Sequence, residues 1–201
     1  PFKGNEVKIA EDGEILVKGE NVMLGYWNKK EETEKVIING WLHTGDIGEI
    51  DPNDGYLKIT DRKKDIIITA GGKNISPSEI ENELKFSPFV SDAVIIGDKR
   101  KFLSCLIMID EENVMKFAQD NDVPFSNFES LCRTKEIVEL IDNEISKVNK
   151  KFANVEQVKK FSLIDIQLTA EDDELTPTMK LKRKFINEKY SDIIESMYQS
   201  A

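Results

Sequence analysis

The sequence predicts an α+β fold, with a β-rich opening and a mixed remainder. Three observations carry this. Short apolar runs over residues 1–60 sit either side of turn clusters. A helix start at Ser76-Pro77 follows a strand-like run and a paired-glycine loop. From residue 65 onward strand and helix patterns mix, ending in helical stripes.

In order, residues 7–10 and 14–18 flank Asp12-Gly13, a hairpin turn signal. A short charged helix is expected over 30–38, stopped by Asn39-Gly40. Residues 47–50 and 56–60 flank the turn cluster Pro52-Asn53-Asp54-Gly55. A second strand pair is expected between 56–60 and 65–69. Ser76, Pro77 and Glu79 predict a capping box, with Ile80 and Leu84 on one face and Ser87-Pro88 as the stop. Residues 90–96 and 102–109 read as strands, and a helix begins near Glu111. Residues 120–134 read as a surface loop with broken helix. Ile137, Ile141, Ile145, Val148 and Phe152 form one apolar stripe, predicting a helix over 135–152. A strand at 158–164, an acidic loop at 169–174 and a final helix burying Phe185, Ile193 and Met197 complete the chain.

Composition narrows the function. Hydrophobic residues make up 39% of the 201 residues, enough for a packed core. The net charge of -10 weighs against nucleic acid or an anionic membrane as main partner. No apolar run approaches the roughly 20 residues of a membrane helix. No signal peptide opens the chain, so a cytoplasmic location is expected. The chain opens at Pro1 and reads as part of something longer. Cys105 and Cys132 lack partners at ligand spacing, so neither a zinc site nor a disulfide framework is expected. Cys105 reads as a small buried hydrophobe. His43, the only histidine, has no nucleophile motif beside it and reads as structural or surface.

Four stretches can carry chemistry, each with a plainer alternative. In Gly40-Trp41-Leu42-His43-Thr44-Gly45-Asp46, the aspartate can present two acceptor oxygens to a vicinal diol, or merely cap a turn. In Asp61-Arg62-Lys63-Lys64, Arg62 can bind ribose or phosphate oxygens through its planar fork, or the stretch is a solvated corner. In Thr69-Ala70-Gly71-Gly72-Lys73, paired glycines let a ligand approach the backbone, or simply turn a strand into a helix. The stretch from Leu175 to Lys184 holds a basic cluster in which one lysine can serve a phosphate as a point charge, or it is a charged helix start.

Taken in this order, the set resembles the C-terminal portion of the AMP-forming acyl-CoA synthetases, part of the adenylate-forming superfamily. The resemblance covers essentially the whole chain, through Gly25-Tyr26-Trp27, the stretch Gly40 to Asp46, the stretch Gly55 to Glu81, and Thr176 to Arg183. It is strongest toward long-chain fatty-acyl-CoA synthetases of the bubblegum type. That rests on Ile66-Ile67-Ile68-Thr69-Ala70-Gly71-Gly72, Pro177-Thr178-Met179-Lys180-Leu181-Lys182-Arg183, the Lys99 to Leu103 turn and the enlarged stretch over 111–134.

The resemblance implies two steps: a carboxylate attacks the α-phosphate of ATP to give acyl-AMP, then coenzyme A displaces AMP. Asp46 would hold the ribose hydroxyls and Arg62 would contact the nucleotide. Lys64 would be the hinge, so residues 1–63 would finish a large N-terminal domain, as the end of a β-barrel subdomain. Residues 64–201 would form a mobile α+β lid. Gly71 and Gly72 would border the pantetheine tunnel. Lys180, in the pattern Lys180-Leu181-Lys182-Arg183, would be the catalytic lysine of adenylation and an ATP contact. Met179 stands where much of the superfamily has glycine. Lys99, Arg100 and Lys101 are either phosphate contacts for coenzyme A or a solvated turn. ATP, Mg2+ held mainly by the absent N-terminal domain, coenzyme A and a fatty acid are the implied cofactors and substrates. The isolated piece would be inactive, and peripheral membrane association of the full-length protein stays open. An adenylation domain loading a carrier protein, or a non-catalytic interaction module keeping the fold, are the alternatives.

Overall fold

The computed structural model describes residues 3–166 and 182–199. Two compact units make up the chain, Pro1–Ile66 and Ile67–Ala201. No helix among the described residues is long and apolar enough to cross a membrane.

The first unit holds β1 (Glu6–Ile9), β2 (Glu14–Lys18), α1 (Lys30–Val36), β3 (Ile37–Ile38), β4 (Trp41–Ile50) and β5 (Leu57–Arg62). The five strands form one antiparallel sheet in the order β1-β2-β4-β3, with β5 also on β4 and no barrel closed among the described residues. The Asp12-Gly13 turn closes as expected, with the Gly13 amide donating to Ala10 O at 2.9 Å. The charged helix ends earlier than expected. Ile37 and Ile38 leave it to pair with Leu42 and Trp41. Asn39 (φ 52) and Gly40 (φ 77) supply the left-handed backbone that such a tight hairpin needs.

The second expected strand pair, 56–60 with 65–69, does not form. β5 already lies along β4, and Lys63–Asp65 make a 3-10 turn. The Lys63 ammonium is held at 2.8 Å by Asp12 and at 3.0 Å by Glu14, which commits the chain to turn there.

Glu14 organises this unit. It is 4% exposed, and a carboxylate so buried must collect donors. His43 Nδ1 donates to Oε2 at 2.8 Å, Lys63 Nζ donates to the same oxygen at 3.0 Å, and the Gly45 amide donates to Oε1 at 3.0 Å. Burial alone would raise the Glu14 pKa. The bonds from His43, Lys63 and Gly45 outweigh it and hold the group below its usual range. Lys63 is correspondingly raised, by Asp12 first and Glu14 next.

The second unit holds β6 (Ile67–Ile68), β7 (Asn74–Ile75), α2 (Pro77–Lys85), β8 (Val90–Ile96), β9 (Leu103–Ile109), α3 (Glu111–Asp120), α4 (Phe128–Cys132), α5 (Lys135–Asn149), β10 (Val158–Ile164), α6 (Arg183–Lys189) and α7 (Ser191–Gln199). β6 pairs with β7 in a short hairpin. β9 is central, antiparallel to β8 and parallel to β10, and all seven of its residues are buried. Helices cover both faces, which is why β8 and β9 read as continuous apolar runs. Ile95, Cys105, Ile107 and Ile109 face one way, into a core with Ile80, Leu84, Val114, Ile137, Ile141 and Ile145. Val94, Ile96, Leu106 and Met108 face the other, against Ile186, Tyr190, Ile194 and Met197.

Ser76 and the final helix depart from expectation. Ser76 stands at the N-cap of α2, but its side chain makes no cap hydrogen bond. The final helix is two, α6 and α7. Their buried face is Ile186, Tyr190, Ile194 and Met197, while Phe185 and Ile193 are half-buried. The acidic loop expected at 169–174 lies outside the described residues.

Both tryptophans, Trp27 and Trp41, lie in the first unit, so their fluorescence reports its unfolding. Glu14 titrates lower in the fold than its ordinary 4.5. Its contribution to stability is therefore complete above 4.5 and is lost as pH falls through the lower folded value. Lys63 titrates above 10.5, so its contribution is complete below 10.5 and is lost as pH rises through the folded value. Glu14→Gln should destabilise the unit by about 1–3 kcal/mol at neutral pH, because it leaves buried donors facing an uncharged amide. It should also flatten the acid arm, as Lys63→Met should flatten the alkaline arm. Urea unfolding across pH, followed by tryptophan fluorescence, checks both. Unchanged arms would show that this cluster does not carry the pH dependence.

Candidate functional site

Within the first unit the structure brings Asp46 and Arg62 together. They are register partners across β4 and β5, beside a bulge between Ile47 and Gly48. Arg62 Nε lies 2.9 Å from Asp46 Oδ1, and both groups reach solvent, with side-chain exposures of 57% and 24%. The pairing uses one of the five guanidinium donors. A carboxylate flanked this way can accept from a vicinal diol while the guanidinium fork meets a further oxygen. Asp46 lies within β4, and its carboxylate is engaged by Arg62.

The backbone under this pair is tied to β2 at successive residues. Thr44 Oγ1 donates to Ile15 O at 2.8 Å and accepts from the Asp46 amide at 3.1 Å. Gly45, at φ +71, turns its amide onto Glu14, a conformation that a side chain would strain. On the other strand, the Arg62 amide donates to Asp61 Oδ1 at 2.7 Å. Lys64 is exposed, in the middle of the 3-10 turn.

In the second unit, residues 69–73 make a closed turn joining β6 and β7. Thr69 N donates to Lys73 O at 3.1 Å, Gly72 N to Thr69 O at 2.8 Å, and Lys73 N to Thr69 Oγ1 at 3.2 Å. The two glycines differ. Gly72 has φ +76 and is required by the turn itself. Gly71 has ordinary backbone, and a Cβ there would meet only Thr69 Oγ1, at 3.9 Å. The fold could therefore accept a side chain at Gly71, and its bareness is available to a ligand.

Lys180 lies outside the described residues, as do the residues from Leu175 to Leu181. Arg183, the end of the same pattern, is described. It pairs with Glu81 on α2, and its Nη1 donates to Ile95 O at 3.4 Å. Glu81 is 9% exposed and also accepts from the Ile95 amide at 2.7 Å. Of the basic turn, Arg100 is bonded to Glu195, while Lys99 and Lys101 are exposed.

Sequence reasoning missed Glu14, Lys63, Glu81 and Arg183 as partners. One signal was available: Glu81 follows Ile80 on the inward side of α2, and a carboxylate placed there needs a cation. Cys105 is fully buried, as expected, and burial pushes its thiol well up, which makes it inert. His43 is structural, through Glu14.

Residues 64–201 match the family model of the AMP-binding enzyme C-terminal domain. The long-chain-fatty-acid–CoA ligase FadD15 of Mycobacterium tuberculosis is 40% identical over 98% of this chain and 33% of its own length. The rat long-chain-fatty-acid–CoA ligase ACSBG1, of the bubblegum type, is 37% identical over 93% of this chain and 28% of its own length. The chain thus spans about a third of the length of the curated relatives it matches. Among solved structures, the o-succinylbenzoate CoA synthetase MenE of Bacillus subtilis, with its acyl-adenylate, aligns with TM-score 0.65 and 29% identity over 92% of this chain and 34% of that one. The adenylation domain of a carboxylate reductase from Mycobacterium chelonae aligns with TM-score 0.77 over 99% of this chain and 31% of that one. At 23% identity it bears on the fold alone. The resemblance seen in the motifs holds, and the chain belongs to the AMP-binding enzyme C-terminal domain family of the adenylate-forming enzymes.

Proposed function

We propose that this chain is the C-terminal part of an ATP-dependent, AMP-forming long-chain fatty-acid–CoA ligase. The observation that carries the reading is the Asp46–Arg62 pair, set across two strands of a chain 40% identical to a long-chain ligase. In this reading Asp46 accepts from the ribose hydroxyls, and Arg62 holds Asp46 and a nucleotide oxygen. The fatty-acid carboxylate attacks the α-phosphorus of ATP, and the bond to pyrophosphate breaks. Lys180 offsets the negative charge that builds at that phosphorus. The thiol of coenzyme A then attacks the acyl carbonyl, AMP leaves, and the thiol proton passes to solvent or base. The Gly71-Gly72 backbone borders the path of the pantetheine arm.

Residues 1–63 complete a larger N-terminal domain in this reading, and residues 64–201 form a lid pivoting at Lys64. Exposed Leu24, Trp27, Tyr56 and Ile59 support the first part, since such apolar surface asks for a covering partner. Lys63 supports the second: it is fixed to Asp12 and Glu14, so rotation would begin one residue later. Mg2+ accompanies ATP in such chemistry. In this reading Mg2+ is held by the nucleotide phosphates and mainly by the N-terminal domain.

In the full-length enzyme, Lys180→Ala should slow adenylation by roughly 10²-fold or more, the scale of one preorganised transition-state contact. Thioester formation from supplied acyl-AMP should survive much better. Pyrophosphate exchange and acyl-AMP consumption measure the two steps separately, and equal losses would refute the assignment. Gly71→Trp should do the reverse, impairing thioester formation more than adenylation. Because the fold tolerates a side chain there, an unchanged melting temperature should accompany it. The isolated chain should make no thioester. Acyl transfer to a carrier protein in preference to coenzyme A would favour the carrier-loading alternative.

A further inference from the structure

The glycine loop is held from behind by the turn that joins β8 to β9. The Lys99 amide donates to Ile68 O at 2.8 Å, and the Ala70 amide donates to Arg100 O at 2.9 Å. Asp98 Oδ1 accepts from the Ile68 amide at 3.3 Å. The turn itself is not relaxed. Lys99 sits at φ 57, in a left-handed conformation that residues with side chains adopt rarely and keep only where their surroundings hold them.

Those surroundings are α7. Arg100 Nη1 donates to Glu195 Oε2 at 3.1 Å, and Nη2 donates to Glu195 Oε1. The guanidinium lies over the Tyr198 ring at 4.7 Å. The Tyr198 hydroxyl accepts from Ser104 Oγ at 2.9 Å. It lies 3.2 Å from both Ile96 O and Phe102 O, the carbonyls at either end of the turn, so its one proton is shared between them. The Phe102 and Tyr198 rings pack with centroids 4.8 Å apart. α7 thus grips both ends of the turn and its central arginine, and Arg100 passes the grip to Ala70, next to Gly71.

We propose that α7 positions the glycine loop for thioester formation through Arg100, with Arg100, Glu195 and Tyr198 as positioning residues. The role rests on the assignment of Gly71 and Gly72 to that step. It also gives Arg100 an occupation other than binding a phosphate of coenzyme A.

Charge reversal separates this from a general loss of stability. Arg100→Glu should raise the KM for coenzyme A in the full-length enzyme roughly tenfold, the combined scale of a bidentate ion pair and a cation–π contact. ATP–pyrophosphate exchange should stay within about twofold, since adenylation uses other residues. Arg100→Glu combined with Glu195→Arg restores the pair in reverse and should recover most of the loss. Tyr198→Phe keeps the ring and removes the hydroxyl, and should show a milder form of the same split. Independently of activity, hydrogen exchange at the Ala70 amide of the 201-residue chain should speed up in Arg100→Glu and slow again in the double variant. Failure of the double variant to recover, an equal fall in both half-reactions, or unchanged exchange at Ala70 would overturn the proposal. Should the unaltered enzyme form acyl-AMP yet make no thioester, the glycine-loop assignment itself fails, while exchange at Ala70 still decides whether α7 holds the loop.

Discussion

A carboxylate taken out of water must be given donors, and in this protein that constraint falls on Glu14. It is nearly inaccessible, and its bonds come from a histidine ring, a backbone amide and an ammonium. Each donor fixes something different. His43 ties the start of β4 to β2. Gly45 sets the backbone immediately before Asp46. Lys63 sets the chain immediately after Arg62 and immediately before Lys64. The pair proposed to meet the nucleotide and the residue proposed as pivot are therefore braced by one buried charge. Removing one partner of such a group costs more than the group's presence contributes, because the remaining partners stay buried. This makes the local geometry hard to alter piecemeal.

The second unit solves a similar problem in the same way. Glu81, on the buried side of α2, accepts from the Ile95 amide and pairs with Arg183. Arg183 opens α6 and follows Lys180 by three residues in the sequence. In each unit, then, a buried carboxylate recruits a cation that directly adjoins a segment assigned to chemistry. A salt bridge of this kind is weak evidence for overall stability. Removing either partner would leave the other buried charge uncompensated.

How much of this was legible in the sequence depended on the range of the physics involved. Of the expected stripe, Ile137, Ile141, Ile145 and Val148 lie on the buried face of α5, because a packed helix imprints its own period on the residues, while Phe152 falls beyond the helix, which ends at Asn149. The runs at β8 and β9 were read as strands for a related reason, since helices on both faces exclude polar residues from them. The final helices carry two apolar stripes, one through Phe185 and Ile193 and one through Ile186, Tyr190 and Ile194. Only the sheet face they meet selects between them. The run Ile66 to Ile68 looks like a strand and forms only a short hairpin with Asn74 and Ile75, because β5 is already paired with β4 and the 69–73 turn folds the chain straight back. The motifs located Asp46 and Arg62, but their contact depends on a cross-strand register that no local pattern encodes. Glu14 was invisible for the simplest reason: a glutamate after Asp12-Gly13 reads as the polar edge of a turn.

The glycine loop shows why distant scaffolding is needed at all. A loop proposed to border a passage must present backbone and no side chains, and glycine gives it that at a cost in order, since it loses the most conformational freedom on folding. Gly71 and Gly72 cannot fix their own positions by packing, for a Cβ at either would find essentially open space. Rigidity has to come from elements outside the passage. The hairpin closes the loop on itself through Thr69 and Lys73, which sets its shape but not its position. The bonds from Ile68 and Ala70 to the 98–100 turn set its position. That turn contains a strained residue and would relax if left alone. The last helix of the chain supplies the missing restraint with the side chains best suited to it: an arginine that can hold a carboxylate and an aromatic face together, and a tyrosine that is greasy at its ring and polar at its tip. The bare backbone at Gly71 and Gly72 is thus held from behind, by residues that lie outside the loop itself.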